Sequence, residues 1–351
     1  MIDLTMQASD DYRVRELDAA RVAAWDEYVT VNPNATFFHL AGWKRIIEDT
    51  LKHRTHYLYC EKGGEIAGIL PLARVKSLLF GDALISVPFL VYGGVVANDE
   101  TAASLLVDAA CDKANYLGVD YLELRNQEPS GRGWPAKSNY VSFAKELDPD
   151  PEKNLQAIPR KQRAMIRKGI AAGLVANVDT DTGRLYEALL PCKRNLGTPF
   201  FSSRYLRAVA EQFGDKVEVM TITKDARTVC SVMSFRFRDQ ILPYYGGGGD
   251  LARELKGNDF MYWAVMEKSS EEGVRLFDFG RSLQDSGAYR FKKHWGFEPK
   301  PLSYEFYLLN GEALPNFNPS NAKYKVAIDA WKKLPLFAAA RLGPPLARRL
   351  G

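Results

Sequence analysis

Residues 244–250 read Tyr244-Tyr-Gly-Gly-Gly-Gly-Asp250, and they lie at the centre of the segment from Thr228 to Phe297. Before them, Thr228–Arg238 alternates apolar with polar residues, which predicts a strand. Asp239-Gln240 then favours a turn into a second short strand, Ile241–Tyr245. The glycines are therefore predicted to form a turn after a β-hairpin.

A helix and another strand are predicted beyond the glycines. Asn258-Asp259 is a good N-cap pair for a helix from Phe260 to about Glu272, and Gly273 stands where a C-cap glycine belongs. The next predicted elements are a buried strand at Val274–Phe279, the turn Gly280-Arg281-Ser282, and a short helix in Tyr289–Phe297 that ends in Gly-Phe.

Three motifs carry a resemblance to a known family: the glycine turn after Tyr244-Tyr245, Phe277-Asp-Phe-Gly-Arg-Ser282, and Phe291-Lys-Lys-His-Trp-Gly296. The order resembles the GNAT acyltransferases, and more closely the Fem-type (FemAB-like) aminoacyl ligases, which carry two GNAT domains. Within these it is most similar to the branch associated with PEP-CTERM/exosortase and exopolysaccharide systems. The resemblance implies an α/β (α+β) fold of two tandem GNAT-like acyltransferase domains packed across a cleft.

Composition independently predicts two domains, because 351 residues exceed the usual size of one core. A net charge of +4 is too mild to indicate nucleic-acid binding by itself. The four cysteines form no Cys-x-x-Cys pair, which is typical of reduced thiols in a cytoplasmic protein, and no metal site is expected. We find no signal peptide and no apolar run long enough to span a membrane. These features predict a cytoplasmic protein, with peripheral contact at the inner face of the cytoplasmic membrane left open.

An internal repeat supports two similar domains. Tyr92-Gly93-Gly94 is followed by a helix, by Gly118-Val119 and by a strand at Tyr121–Arg125. Tyr245-Gly246-Gly247 is followed by the same succession, with Gly273-Val274 before its strand. A duplication is the simplest explanation.

We place the domain boundaries in the linkers. The segment 126–140 is rich in Gly, Pro, Ser and Asn, and Asp148-Pro-Asp-Pro151 is a stiff linker that starts a helix. The predicted domains are 1–150 and 151–312, followed by a basic, partly amphipathic tail at 313–351. Such a tail either docks on its own fold or lies on an anionic membrane surface.

A basic helix is predicted at the start of the second domain. Arg160, Arg163 and Arg167 have helical spacing and share one face. The face is either a phosphate-binding surface or a solvated helix surface. Fem-like proteins carry Arg-x-x-Ile-x-Lys here, matched by Arg163-Ala-Met-Ile-Arg-Lys168, and the resemblance implies that Arg163 contacts an acceptor phosphate.

Two aromatic loops are also candidate binding elements. Gly197-Thr-Pro-Phe-Phe-Ser202 resembles a loop of the Fem-like branch, and we interpret Phe200 either as lining the cleft or as packing into the core. His39 follows two phenylalanines in the first domain, and a structural role is favoured over a catalytic base.

The resemblance implies a donor site at the glycines. GNAT strands hold the acyl donor between them, so Tyr244, Tyr245, Gly246, Gly247 and Gly248 are candidate substrate-binding residues. This chain departs from the usual phosphate loop by inserting the segment 250–257 before the helix. The departure leaves both acyl-CoA and aminoacyl-tRNA open as donor substrates, and no permanently bound cofactor is expected.

The resemblance also implies a catalytic lysine. Lys292 lies four residues before Gly296, in the Phe-Lys-x-x-aromatic-Gly pattern of Fem-type ligases, and its ammonium can stabilise an oxyanion or protonate a leaving group. Asp278 is the candidate general base, unless it pairs with Arg281, which is itself a candidate substrate contact.

We therefore expect transfer of an acyl or aminoacyl group to an amine or hydroxyl of a cell-envelope precursor, related to peptidoglycan or exopolysaccharide. The precursor is expected to be phosphorylated or lipid-linked, and tRNA is a candidate partner. The alternatives are an acyl-CoA-dependent GNAT N-acyltransferase and a catalytically inactive Fem-like scaffold.

Overall fold

The computed structural model describes residues 11–77, 81–310, 314 and 322–350. The chain forms two compact units. The first contains the described residues up to Tyr140, the segment that starts at Pro301, and the C-terminal end from Arg348. The second contains Val141–Lys300 and the two C-terminal helices up to Ala347.

The N-terminal part of the chain builds most of the first unit. Its elements are β1 (Tyr12–Glu16), α1 (Val22–Val31), α2 (Gly42–Ile46), β2 (Thr55–Lys62), β3 (Glu65–Ser77), β4 (Gly81–Ser86), β5 (Val96–Ala97), α3 (Glu100–Leu117), β6 (Tyr121–Asn126) and β7 (Ala136–Lys137).

The rest of the chain builds the second unit and returns to the first twice, at Pro301 and at Arg348. Its elements are β8 (Tyr140–Ser142), β9 (Ala144–Glu146), α4 (Pro151–Ala157), α5 (Arg160–Ala171), β10 (Val175–Asp179), α6 (Gly183–Asn195), α7 (Ser203–Phe213), β11 (Val217–Lys224), β12 (Arg227–Phe237), β13 (Gln240–Gly248), α8 (Asp250–Glu254), α9 (Gly257–Glu271), β14 (Leu276–Asp278), β15 (Ser282–Leu283), α10 (Gly287–His294), β16 (Lys300–Pro301), β17 (Ser303–Leu308), α11 (Ala322–Lys332) and α12 (Leu336–Ala347).

The sheet of the first unit has the order β1-β2-β3-β4-β6-β17-β7, with β5 beside β3. β4 and β6 are parallel, and their crossover is α3. Asp99 caps α3, its side chain accepting a hydrogen bond from the Ala102 N–H, and Gly118 ends it with a φ of 60°. The apolar face of α3 packs on β1 to β3 and forms the core of this unit.

The sheet of the second unit has the order β10-β11-β12-β13-β14-β9. β13 and β14 are parallel, and their crossover contains α9. Its core is rich in aromatic rings, with Trp295, Phe143 and Phe277 fully buried between the sheet and the helices. Large aromatic side chains dominate the burial energetics of such a core.

The two units repeat one topology. The succession β1-β2-β3-β4-α3-β6 of the first unit corresponds to β10-β11-β12-β13-α9-β14 of the second. In both sheets an antiparallel strand pairs with the last member, β17 with β6 and β9 with β14. The repeated sequence pattern therefore marks a repeated α/β fold.

The glycine segment differs from the predicted turn. Gly246, Gly247 and Gly248 belong to β13 and pair with Val232, Ser231 and Cys230 of β12. The residues were predicted as a turn because consecutive glycines usually signal one, whereas here they stand where neighbouring side chains approach the strand too closely for a Cβ atom.

The start of α9 also differs from the prediction. Asn258 and Asp259 lie inside the helix, and the capping position is Lys256, with a left-handed φ of 59°. The Asp259 carboxylate accepts a hydrogen bond from the Gln162 side chain instead of capping the helix. The Asp259 side chain therefore connects α9 to α5.

The C-terminal helices dock within the second unit. The Arg194 Nη1 of α6 donates to the Leu334 carbonyl at 2.7 Å, between α11 and α12. Gly343 of α12 lies so near Phe200 that a Cβ atom there would be 2.8 Å from the Phe200 carbonyl oxygen. Docking on the chain's own fold is thus observed for this part of the tail. Among the described residues, none of the helices has the length and apolarity to cross a bilayer.

Candidate active site

An opening between β13 and β14 defines the candidate site. The two strands pair only at Gln240–Leu276 and Ile241–Phe277. β13 then continues to Gly248, while β14 ends at Asp278. Beyond Ile241, β13 is no longer paired with β14. The backbone N–H and C=O groups on this edge can therefore hydrogen-bond an extended substrate. This is the separation of parallel strands that the resemblance implied.

A β-bulge lies at the opening. Met233 pairs with Tyr245 and Ser234 pairs with Pro243, so Tyr244 has no opposite residue on β12. An extra residue of this kind bends a strand and turns its backbone groups. The bulge therefore directs the second half of β13 away from β14.

The glycines of β13 allow helices to approach the strand. A Cβ atom on Gly247 would lie 2.9 Å from the Cys192 Sγ of α6. A Cβ atom on Gly246 would lie 3.0 Å from the Tyr262 hydroxyl of α9. One wall of the opening is thus backbone, bordered by a thiol and a phenol.

Tyr245 and Phe200 belong to an aromatic cluster on the α6 and α7 side of the sheet. The Tyr245 hydroxyl is 2.8 Å from the Tyr205 hydroxyl, and the Phe200 and Tyr245 ring centroids are 6.0 Å apart. Tyr245 and Phe200 are each 6% exposed. Burial raises the pKa of the Tyr245 phenol well above its usual value. This packing supports a positioning role for both residues, whereas Tyr244 is partly exposed.

The helix end fixes the backbone at Lys292. The Phe297 N–H donates to the Lys292 carbonyl at 3.3 Å, and the Gly296 N–H donates to the Lys293 carbonyl at 3.0 Å. Gly296 has a φ of 78°. These two bonds and the left-handed glycine form a Schellman motif, which accounts for Gly-Phe after this helix.

The Lys292 ammonium contacts the turn that directly follows β14. Nζ donates to the Gly280 carbonyl at 3.0 Å and to the Arg281 carbonyl at 3.1 Å, and lies 5.5 Å from the centre of the Phe143 ring. The residue is 8% exposed. Burial lowers the pKa of Lys292 to about 7, against the opposing effect of the Asp278 carboxylate.

Asp278 holds the turn that presents these carbonyls. Its Oδ1 accepts a hydrogen bond from the Gly280 N–H at 2.7 Å, and the residue is 8% exposed. Gly280 adopts a φ of 67°, which a glycine tolerates without strain. The structure thus brings Lys292, Asp278, Gly280 and Arg281 together at one turn.

Lys292 gives the stability of the chain a pH dependence of defined sign. Its pKa of about 7 in the folded state lies below the unfolded value of about 10.4. Between these values only the unfolded chain binds the proton, so the free energy of unfolding rises with pH, by at most about 1.4 kcal/mol per pH unit.

We therefore expect urea denaturation to show wild type gaining stability relative to Lys292→Met as pH rises from about 7 to about 10. The stability difference between wild type and Lys293→Met, at an exposed neighbour that leaves Lys292 in place, should stay constant over this range. A wild type-to-Lys292→Met difference that is constant over this range would contradict the lowered pKa of Lys292.

The arginines of α5 lie on the more exposed side of that helix. Gln162, Ile166 and Gly169 form the buried face of the helix, while Arg160 and Arg167 are exposed and Arg163 is half-buried. Among the described residues, neither an ion pair nor a hydrogen bond connects the three arginines to the Lys292 turn.

His39 has a structural role. Its Nδ1 is 3.0 Å from the Thr36 backbone nitrogen and its Nε2 is 2.9 Å from the Gly94 carbonyl oxygen, so both ring nitrogens are engaged. Within the part of the chain that the structure describes, no group of His, Cys, Asp and Glu side chains could hold a metal ion.

In the first unit, β4 and β6 correspond to β13 and β14, and side-chain hydrogen bonds connect β6 to the segment after β4. Arg125 of β6 is 3% exposed, and its Nη1 donates to the Leu90 carbonyl, beyond the end of β4, at 2.9 Å. Its Nε donates to Glu123 at 2.9 Å. Side-chain bonds thus connect β6 to the chain that follows β4, which favours the second unit as the site.

Sequence reasoning missed three residues beside the opening: Cys192, Lys193 and Tyr262. Tyr262 lies against Gly246, and Cys192 lies against Gly247. For Lys193 a sequence signal was available. Tyr186, Leu189 and Lys193 have helical spacing, and residues at this spacing share one face of a helix.

Comparison with protein families places a known domain over this site. Residues 153–293 match the family model described as an acetyltransferase (GNAT) domain. The comparison with curated protein sequences found no match.

Solved structures share the fold of most of the chain. A FemX crystal structure has 14% identity and a TM-score of 0.67, and the match covers 85% of this chain and 98% of that one. A tandem GNAT protein from the clavulanic acid biosynthesis pathway has 15% identity and a TM-score of 0.55, covering 86% of this chain and 100% of that one.

The C-terminal domain of a putative lysylphosphatidylglycerol synthetase from Agrobacterium fabrum has 13% identity and a TM-score of 0.55, covering 84% of this chain and 93% of that one. The chain thus has a Fem-like fold of tandem GNAT-type domains. Together with the matched domain, this fold supports an acyltransferase of the GNAT type.

Proposed function

We propose that this chain transfers an acyl or aminoacyl group to an amine or hydroxyl of a cell-envelope precursor, related to peptidoglycan or exopolysaccharide. One observation carries the proposal. The Lys292 ammonium is buried and held by the Gly280 and Arg281 carbonyls, at the point where β13 and β14 have separated. A cation in this position faces the place where a donor carbonyl would lie.

The reaction needs charge stabilisation on the acyl oxygen. The acceptor nitrogen or oxygen bonds to the acyl carbon, and the carbonyl oxygen takes up the electron pair. The bond to the leaving group then breaks, at the sulfur of an acyl-CoA or at the ester oxygen of an aminoacyl-tRNA. An ammonium has three N–H donors. Two of those of Lys292 bind carbonyls, so the third is assigned to the oxyanion or the leaving group.

Asp278 is the proposed base. Its carboxylate would accept the proton that the attacking amine or hydroxyl loses. The Gly280 N–H binds Oδ1 and fixes the orientation of the carboxyl group beside the Lys292 turn.

The donor is proposed to be acyl-CoA or aminoacyl-tRNA, bound as a substrate. GNAT domains use acyl-CoA, and the family match supports that choice. The segment 250–257, which forms α8 and leads into α9, replaces the usual phosphate loop and favours the aminoacyl-tRNA. A purely acyl-CoA-dependent N-acyltransferase is therefore the second candidate, and an inactive Fem-like scaffold is the third.

The acceptor is proposed to be phosphorylated or lipid-linked and to contact Arg163, with Arg160 and Arg167 on the same helix face. Arg163 is half-buried, as expected for a residue that lines a binding surface. A planar guanidinium binds phosphate in a bidentate manner.

The experiment is native mass spectrometry of protein purified directly from cells, for wild type, Arg163→Ala and Lys161→Ala. We expect wild type and Lys161→Ala to retain a phosphorylated envelope precursor, and Arg163→Ala to lose it without a change in stability above about 0.5 kcal/mol. Equal retention by all three proteins would remove the phosphate role of Arg163, and a precursor-free wild type would contradict the proposed acceptor.

We also propose peripheral membrane contact through the C-terminal helices, which would suit a lipid-linked acceptor. Phe337 is 78% exposed and Val326 is 75% exposed, among basic residues. Flotation with anionic liposomes tests this idea, because wild type and Phe337→Ser should then differ. Equal flotation would remove it.

A further inference from the structure

Lys193 lies in the last turn of α6, on the face of that helix that packs on β13. Residue Leu189, one turn earlier, would touch a Cβ atom on Gly247 at 3.3 Å. The preceding residue, Cys192, lies against the same glycine. The position of Lys193 is therefore close to the glycine segment of the candidate site.

The Lys193 side chain turns toward an aromatic surface. Its Nζ lies 5.7 Å from the centre of the Phe200 ring. Phe200 is 6% exposed, and its ring packs on Tyr245. α12 also packs against this loop, because Gly343 approaches the Phe200 backbone. Phe200 is thus a rigid neighbour of the ammonium.

Lys193 as a residue is only partly buried. Among the residues that the structure describes, no carboxylate lies within ion-pair distance of it, and it donates no hydrogen bond to them. Burying a cation without a counter-charge is unfavourable by several kcal/mol. Burial correspondingly lowers the pKa of Lys193.

An anion at this position would remove that cost. Lysine acts toward phosphate or carboxylate as a compact point charge with three donors. Because Lys193 is partly buried, the local dielectric strengthens such a pairing relative to water.

We propose that Lys193, beside Phe200, is a subsite for one anionic group, a carboxylate or a phosphate, of the acceptor. The assignment of the ligand as the acceptor rests on the proposed function. The anion-binding site itself is inferred only from the positions of α6 and Phe200. The subsite would hold the acceptor on the α6 side of β13 and leave the Lys292 turn free for the donor carbonyl.

The test is the chemical reactivity of Lys193 in the full-length wild-type protein. A short pulse of acetic anhydride acylates neutral amines, and peptide mass spectrometry measures the extent at each lysine. The pulse is given in chloride, in acetate and in phosphate at equal ionic strength. A bound anion stabilises the ammonium, and each unit of rise in its pKa lowers the neutral fraction about tenfold.

We expect acetate or phosphate to slow acylation of Lys193 by about tenfold, with the more protective anion identifying the group. Lys293, which is exposed, should react equally in all three salts. Unchanged Lys193 acylation in both anions, or equal slowing at Lys293, would overturn the subsite.

A second measurement covers the variants. Thermal stabilisation by the protective anion should persist in Lys193→Arg and vanish in Lys193→Met. Stabilisation that persists in Lys193→Met would also overturn the proposal. Neither assay uses acyl transfer, so loss of the proposed function would show separately, as a protein that protects Lys193 but binds no acyl donor.

Discussion

Lys292→Met should lower turnover by roughly a hundredfold or more, the scale observed when one oxyanion stabiliser is removed. The substitution keeps the bulk of the stem and removes the donors that now bind the Gly280 and Arg281 carbonyls. Affinity for donor and acceptor should change little, because the assigned interaction forms mainly in the transition state. Steady-state and single-turnover kinetics, once the substrates are identified, separate the two effects.

Lys293→Met is the matched control. Lys293 is adjacent on α10 and points about 100° away from Lys292. It is exposed, and its loss should leave turnover within a few-fold of wild type. Equal losses in the two variants, or none in either, would make Lys292 a structural residue and withdraw its catalytic assignment.

Gly248→Ala should destabilise the second unit by about 1–3 kcal/mol, the usual cost of overpacking. The added Cβ would lie 2.6 Å from the Cβ atoms of both Ala252 and Cys230, and 2.9 Å from the Val229 carbonyl oxygen. None of these atoms is the end of a flexible side chain, so α8 or β12 must shift. Urea denaturation measures the change in the free energy of unfolding.

Gly249→Ala provides the comparison at the next residue. A Cβ atom there would meet nothing within 4 Å, and the φ of −85° suits alanine. We expect its stability to stay within about 0.5 kcal/mol of wild type. If the two variants were equally stable, close packing would not explain the glycines of β13.

Local pattern in the sequence was sufficient for much of the second unit. The alternation in Thr228–Arg238 corresponds to β12, and the helix predicted between Gly94 and Gly118 corresponds to α3. Both signals are local, since they depend on residues within a few positions of one another.

The glycines show where local pattern misleads. Consecutive glycines usually mark a turn, but Gly247 of β13 is required by Cys192, which comes from α6. A contact between distant segments leaves no local signal. For the same reason the sequence did not indicate that β17 joins the sheet of the first unit.

Part of the chemistry of the candidate site could be predicted from the sequence. The spacing before Gly296-Phe297 identified Lys292, and the resemblance gave it a role. Its burial and its bonds to Gly280 and Arg281 depend on the turn after β14, which Asp278 holds. Lys193 escaped notice because a lysine at a helix end is ordinarily a solvated residue.

The acyl donor is proposed to bind between β13 and β14 of the second unit. Hydrogen–deuterium exchange of the full-length protein checks this placement, with acetyl-CoA and, separately, with a mixture of cellular aminoacyl-tRNAs. We expect one of these donors to slow exchange in 242–248 and 279–283, and to leave 87–92 of the first unit unchanged. No slowing in 242–248 with either donor, or slowing confined to 87–92, would contradict the assignment of the active site.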